Sequence, residues 1–263
     1  MIAVSQEHLQ YLKRIARRRH AVSITRLLVL VVFFALWELG AALGWFDAFI
    51  LSSPSRVLAA IGRLYTDGSL WIHVFTTLYE TVMGFLLGTG LGVALAVLLW
   101  WLPFVNEVMD PYLVILNALP KIALGPVLIV WLGAGMSSII VMAVLVSLVV
   151  TTVTVLGGFT AAEEEKRLLM RTLGASKAQT FIKVVLPAGV PHMMSALKIS
   201  VGMSWVGVIV GEYLVSRAGL GYLIVYGGQV FKLDLVMAAV VILSVLAALM
   251  YGAVALLERK ISP

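Results

Sequence analysis

In this chain of 263 residues only a few side chains able to do chemistry stand inside the long apolar runs. Lys121 follows Pro120 in LNALPKIALGP, Glu212 follows Gly211 near the end of another run that also holds Lys198, and Glu38 and Glu80 lie in two more. An ionisable group at the middle of a membrane helix costs on the order of 3 kcal/mol, so each needs a reason. The chemistry open to them is the handling of a solute rather than its conversion. His8, His20, His73 and His192 are scattered near run ends without catalytic or metal-binding spacing. The chain has no cysteine, which excludes disulfides and thiolate metal sites. It also has no G-x-x-x-x-G-K-[ST] phosphate loop, so ATP is not expected to bind here.

The candidates for a polar path are Asn117, Lys121, Ser147, Thr151, Ser204, Trp205 and Glu212. Lys121 has two readings: an ammonium at a broken helix that attracts an anionic solute, or a lysine whose stem snorkels to an interface. Glu212 either borders a gate or is a helix-end carboxylate, paired with Arg217 or capped by backbone donors. Serine and threonine in membrane helices also bond their own helix carbonyls, a bland reading open to Ser147, Thr151 and Ser204. Lys198 reads as an interface anchor, and Glu38 and Glu80 as stabilisers of contacts between spans.

The elements that must position these groups are membrane helices. The sequence is 62% hydrophobic and 12% charged, with a mean hydropathy of +1.06, against roughly 25% charged residues in a soluble domain. The apolar runs are continuous rather than alternating, which excludes a β-barrel. Six are long enough to cross a bilayer, near residues 24–46, 74–102, 112–132, 136–158, 193–215 and 233–257. Pro120 and Pro126 each remove a backbone donor, so the third must be kinked or broken. Gly84, Gly88 and Gly92, spaced four apart, place a smooth stripe on the second, where another helix can approach closely. Between the first two, Ser53-Pro54-Ser55 opens a short amphipathic helix and Asp67-Gly68 turns the chain. A glycine-rich loop and re-entrant segment occupies 216–232.

Six spans put both termini on one side. Thirteen basic residues fall in the N-terminal tail (Lys13, Arg14, Arg17, Arg18, Arg19, Arg26), in 159–187 (Lys166, Arg167, Arg171, Lys177, Lys183) and at Arg259 and Lys260. The loops on the other side hold four: Arg56, Arg63, Arg217 and Lys232. Positive charge stays inside, so the termini and the 159–187 block are expected in the cytoplasm. The net charge of +6 collects at run ends and reports orientation, leaving no nucleic-acid footprint. The tail, mixing Leu9, Tyr11, Leu12 and Ile15 with its cations, forms either a helix on anionic lipid headgroups or a disordered segment. The organisation is a basic tail over 1–25, a transmembrane domain over 26–257 and a short C-terminus over 258–263.

The longest charged block, FTAAEEEKRLLMRTLGASKAQTFIKVVLP at 159–187, carries two helix-start signals, Thr160 with Glu163 and Ser176 with Gln179. Glu163 to Glu165 fall in the first turn of the first helix, and Glu163 can pair with Arg167. Gly174 ends that helix and Pro187 closes the second, whose Ala178, Phe181, Ile182 and Val185 share a face. Gly174-Ala175-Ser176 is left exposed at the tip. The block reads as a docking element or as an amphipathic connector between spans.

Its spacing, Gly174, nine residues, then Val184-Val185-Leu186-Pro187, resembles the cytoplasmic EAA loop of bacterial ABC importer permeases, Glu-Ala-Ala, three residues, Gly, nine residues, Ile-x-Leu-Pro. Leu168-Leu169-Met170 occupy the Glu-Ala-Ala positions, so the polar contact of that glutamate is absent. LSSPSRVLAA at 51–60, DPYLVILNALPKIALGPVLIVWLGAGMSS at 110–138 and GEYLVSRAGLGYLI at 211–224 look like permeases of the nitrate, sulfonate and taurine branch, which includes carriers of thiamine precursors and riboflavin-like compounds. The resemblance implies an all-α type I importer fold with six transmembrane helices and a cytoplasmic coupling helix, formed here by Arg171, Thr172, Leu173, Gly174, Ala175, Ser176 and Lys177. It implies two permease copies in a bacterial inner membrane, ATPase subunits holding ATP and Mg beneath them, and an extracytoplasmic solute-binding protein above. The chain itself holds no cofactor in that reading. An ion-coupled secondary transporter is the alternative; it predicts inverted repeats and a coupling carboxylate at midplane, and the sequence shows neither.

Overall fold

The computed structural model describes residues 6–161 and 164–261, and its described elements are all helical. In chain order they are α1 Gln6–Ala42, α2 Ala48–Leu51, α3 Pro54–Thr66, α4 Ser69–Trp101, α5 Pro103–Ala118, a 3₁₀ turn Lys121–Leu124, and α6 Gly125–Leu132. There follow α7 Met136–Thr160, α8 Glu164–Thr172, α9 Lys177–Thr180, a π turn Phe181–Val185, α10 Leu186–Val215, α11 Leu220–Gln229 and α12 Leu233–Ile261. Among the described residues, five helices are long and apolar enough to cross a membrane: 20–42 of α1, α4, α7, the run Lys177–Val215, and α12. The pair α5 and α6, bent by 85° at its break, makes the sixth. The protein is thus a multi-pass, all-helical membrane protein. The basic tail residues from Gln6 onward belong to one unbroken helix with the first span.

The centre is α7, held between α4 and α10. The predicted glycine stripe is what lets α4 approach: a Cβ on Gly84 would stand 2.5 Å from Ala143 Cβ, one on Gly88 would overlap Ser147 Oγ, and one on Gly92 would be 2.7 Å from Thr151 Cβ. The stripe therefore serves packing within the chain. From the other side Gly207 and Gly211 of α10, again four apart, press on the backbone of α7 at Ala143 and Ile139. Small residues bring helix backbones close where lipid supplies no hydrophobic drive between helices. Hydroxyls add cross-links: Thr152 Oγ1 donates to the Gly92 carbonyl at 3.2 Å, and Thr151 Oγ1 meets Ser200 Oγ at 2.5 Å.

The remaining elements dress this core. The helix α3 begins as the sequence predicts, with Ser53 as N-cap, and the chain turns at Gly68 with φ +72°. Glu38 ties α1 to it, accepting from Ser55 N at 2.9 Å and Ser55 Oγ at 2.7 Å. Arg56 of α3 pairs with Asp234 of α12 at 2.9 Å. Lys198 pairs with Glu258 at 2.9 Å, which gives the expected interface anchor a defined partner on α12.

Three details of the 159–187 block differ from expectation. Thr160 is the last residue of α7, and its Oγ1 donates back to the Leu156 carbonyl at 3.1 Å instead of opening α8; Glu163, and with it the pair to Arg167, lies outside the described residues. Pro187 does not close the second helix, which runs on into α10 as one 39-residue span beginning well before residue 193. The π turn is the physical reason: Leu186 N reaches the Phe181 carbonyl, and this local widening relieves the clash a proline ring would have with the carbonyl four residues back. The buried face differs too: Phe181 and Val185 are buried as expected, but Ala178 and Ile182 are exposed, Ile182 at 62%, and Thr180 is buried instead.

Candidate functional site

The two short helices at the α8 end are locked around a small turn. Gly174 sits at φ +73°, a conformation glycine adopts without a Cβ penalty. Its N–H bonds the Arg171 carbonyl at 3.0 Å and Ala175 N bonds the Met170 carbonyl at 2.9 Å, the paired closure of a Schellman motif. The next helix is opened by a capping box, Gln179 N to Ser176 Oγ at 3.2 Å and Ser176 N to Gln179 Oε1 at 2.8 Å. Between these closures Thr172, Leu173, Gly174 and Ser176 are exposed, with Leu173 at 73%.

Lys177 turns the other way. Its Nζ donates to the Trp101 carbonyl at 2.7 Å and stands 5.6 Å and 5.8 Å from the ring centres of Trp100 and Trp101. Phe181 packs on Trp100 with centroids 4.7 Å apart and on Phe159 at 5.4 Å. One lysine and one phenylalanine thereby fasten the turn to the ends of α4 and α7, while the chain itself continues into α10. Arg171, itself exposed, and the half-buried Ala175 line a cavity beside Lys177.

The far end of α10 carries Glu212, buried and held by backbone donors and a hydroxyl. Thr77 Oγ1 donates to Glu212 Oε1 at 2.6 Å, Gly221 N donates to Oε2 at 2.5 Å, and Leu220 N donates to Thr77 Oγ1 at 2.7 Å. Backbone donors cap the carboxylate, as one of the sequence alternatives has it. Gly219, at φ +115°, and Gly221 are dictated by this carboxylate, since a Cβ on either would run into it. Gly219 N also donates to His73 Nδ1 at 3.0 Å. Glu80 is buried beside Glu212 and joins the same cluster between α4, α10 and α11.

The broken span places the other candidates. Asn117 is exposed on α5, and Lys121 Nζ folds back to the Asn117 carbonyl at 3.1 Å across the break at Leu119 and Pro120. Ser147, Thr151, Ser204 and Trp205 are buried inside the protomer. Ser147 and Thr151 bond the Ala143 and Ser147 carbonyls at 2.8 Å each, whereas Ser204 Oγ and Trp205 Nε1 have no partner. The structure thus brings Asn117 and Lys121 together and leaves the others in the helix core. Thr77, Gly207 and Gly211 were not singled out by sequence; the four-residue glycine spacing on α10 is the signal that could have found two of them, while Thr77 lies 135 residues from Glu212.

A multi-pass helical chain with a broken span and a capped two-helix element at one end has close relatives. Residues 88–263 match the family described as "Binding-protein-dependent transport system inner membrane component". The chain is 35% identical over 226 residues to a probable ABC transporter permease protein of Haemophilus influenzae, covering 86% of this chain and 91% of that protein. It is 30% identical over 235 residues to the putative aliphatic sulfonates transport permease protein SsuC of Bacillus subtilis, covering 89% and 85%. A solved bacterial ABC transporter involved in the import of the acidic polysaccharide alginate shares the fold with a TM-score of 0.65 at 14% identity, over 97% of this chain and all of that one. Fold and site define the membrane-spanning permease subunit of an ABC importer. The chain belongs to the family of binding-protein-dependent transport system inner membrane components.

Proposed function

We propose that this permease works as a homodimer in a bacterial inner membrane, with termini and the α8 end in the cytoplasm, and passes a small solute delivered by an extracytoplasmic binding protein. The sulfonate transport named for the Bacillus relative supports a small organic anion as cargo. ATP and Mg belong to ATPase subunits docked under the 171–177 turn. A capped turn with an exposed rim and a fastened root transmits a push better than a floppy loop. The observation that carries the reading is the helical run Lys177–Val215, which links the turn to Glu212 without a break. At 1.5 Å per residue such a rod is roughly 58 Å long, so movement of the tip reaches the Glu212 cluster at the far end. Packed helices switch between discrete arrangements, which amplifies a local displacement.

The break at Leu119 and Pro120 supports the homodimer. Irregular backbone at membrane depth is tolerated only against protein or a water-filled cavity, and Asn117 lies exposed beside it. A second copy closes over the two breaks and makes Asn117 and Lys121 lining groups of a shared path. The ammonium of Lys121 then favours an anion. The test is to co-express the chain with a candidate ATPase and binding protein and to replace Gly174 and Ala175 by tryptophan. Loss of ATPase association and of sulfonate uptake is expected; unchanged association and unchanged uptake would overturn the coupling assignment.

A further inference from the structure

A cavity of about 320 Å³ opens between α8, α9 and the junction of α4 with α5; it shares Arg171, Ala175 and Lys177 with the 171–177 turn but not the exposed Leu173 and Gly174. Three cations converge on it, Arg167 and Arg171 from α8 and Lys177 from α9, and among the described residues no carboxylate lines it. Lys177 is partly satisfied by the Trp101 carbonyl. Arg167 is not: its Nε is buried without a hydrogen-bond partner, and so is Oδ1 of Asn106, another residue of the same wall. A buried polar group left unpaired costs roughly 1–3 kcal/mol, more when charged. Among the described residues, cations gather here and no carboxylate lines the cavity to meet them.

The surroundings say which anion fits. Trp100 and Pro103 line the cavity, and Trp101, Leu102 and Phe104 beside it are exposed apolar groups, Phe104 at 77%. This is the point where α4 ends, the level at which aromatic side chains meet headgroups. A ligand seated there has a charged part among the arginines and a greasy part along Leu102 and Phe104. Basic pockets between membrane helices on the cytoplasmic side suit anionic headgroups, and planar guanidinium groups suit phosphate oxygens.

We propose that this cavity binds the phosphate of an anionic phospholipid from the leaflet on the α8 side, which fastens α8 to the end of α4 through the lipid headgroup. A hydroxyl of a glycerol headgroup supplies the donor that Asn106 Oδ1 lacks. The leaflet rests on the orientation proposed above; the site itself does not, because its occupancy is read on the permease alone.

The experiment is native mass spectrometry of the purified full chain titrated with phosphatidylglycerol, phosphatidylcholine or inorganic phosphate. Phosphatidylglycerol should be retained about tenfold more strongly than phosphatidylcholine. Arg167→Gln with Arg171→Gln should abolish the preference, Arg167→Lys with Arg171→Lys should retain part of it, and Lys183→Gln, outside this cavity, should leave it intact. Melting of each variant in phosphatidylcholine alone checks that the fold is unchanged. Equal retention of the two lipids, or full retention by the double glutamine variant, overturns the site. Displacement of phosphatidylglycerol by millimolar inorganic phosphate overturns the lipid source and assigns the cavity to free phosphate. Neither result bears on ATPase docking, which is read by uptake.

Discussion

Replacing Gly207 by alanine tests the packing of α10 on α7, through which the proposed lever must act. An ideal Cβ there would stand 2.5 Å from Ala143 Cα and 3.0 Å from Ala143 N, whereas carbon atoms in contact sit about 3.5–4.0 Å apart. The two helices must part locally by roughly 1 Å, and because the obstacle is backbone no rotamer relieves it. Overpacking of this kind costs about 1–3 kcal/mol, and backbone movement puts this site toward the upper end. An alanine in a helix interior returns roughly 0.5–1 kcal/mol relative to glycine. Gly202 lies on the same helix with nothing within 4 Å of its Cβ position, so Gly202→Ala keeps only the gain. The two variants should differ by about 2–3 kcal/mol, or roughly 4–12 °C in melting temperature for a chain of this size. Thermal unfolding of the purified permease, followed by loss of the monodisperse peak in size-exclusion chromatography, measures the difference. Equal melting temperatures would refute the account of α10 pressed backbone to backbone on α7.

Other consequences are as direct. Glu212→Ala leaves the Thr77 hydroxyl and the Gly221 N–H without an acceptor, at about 1–3 kcal/mol for each group left unsatisfied, and should raise amide exchange across 216–229; unchanged exchange would count against the cluster as the anchor of α11. Gly219→Ala combines a strained φ with a clash against that carboxylate, and should melt below wild type by several degrees, at about 2–4 °C per kcal/mol. Lys177→Ala removes the bond to the Trp101 carbonyl and the contact with the two indoles, worth roughly 1–2 kcal/mol together; uptake of the transported solute should fall while the ATPase still associates. Lys121→Gln should lower uptake of an anionic solute and leave ATP hydrolysis in the assembled transporter unchanged.

What the sequence made legible was governed by local rules. The break at Pro120 follows from a missing donor, the turn at Gly174 from a positive φ, and the start at Ser176 from a capping box; each depends on residues close in the chain. Ser53 and Gly68 were readable for the same reason. The partner of the Gly84, Gly88 and Gly92 stripe was not, because smoothness says that a helix approaches and not which one. Glu212 was noticed for its cost in a membrane, but its hydroxyl partner, Thr77, comes from another helix far along the chain. Pro187 misled because proline ordinarily ends a helix, and the π turn that accommodates it shows no pattern in FIKVV. Ala178 and Ile182 lie off the buried face on which regular periodicity placed them, and Thr180 takes that place. Asn117 and Lys121 were chosen for their residue types; that they meet across one break came only from the fold.

The absence of cysteine from the natural chain makes the coupling claim directly measurable, since any introduced thiol is unique. Leu173→Cys places one on the exposed rim of the turn, and Tyr65→Cys places one on α3 at the opposite end. In membranes containing the permease with its ATPase and binding protein, a short bifunctional thiol reagent should join Cys at 173 to a cysteine set into the ATPase surface, and the yield should change when ATP is added. The thiol at 65 should give no such product and should react with an impermeant reagent from outside. Cross-linking of the ATPase at 65 but not at 173 would contradict both the orientation and the role of the turn.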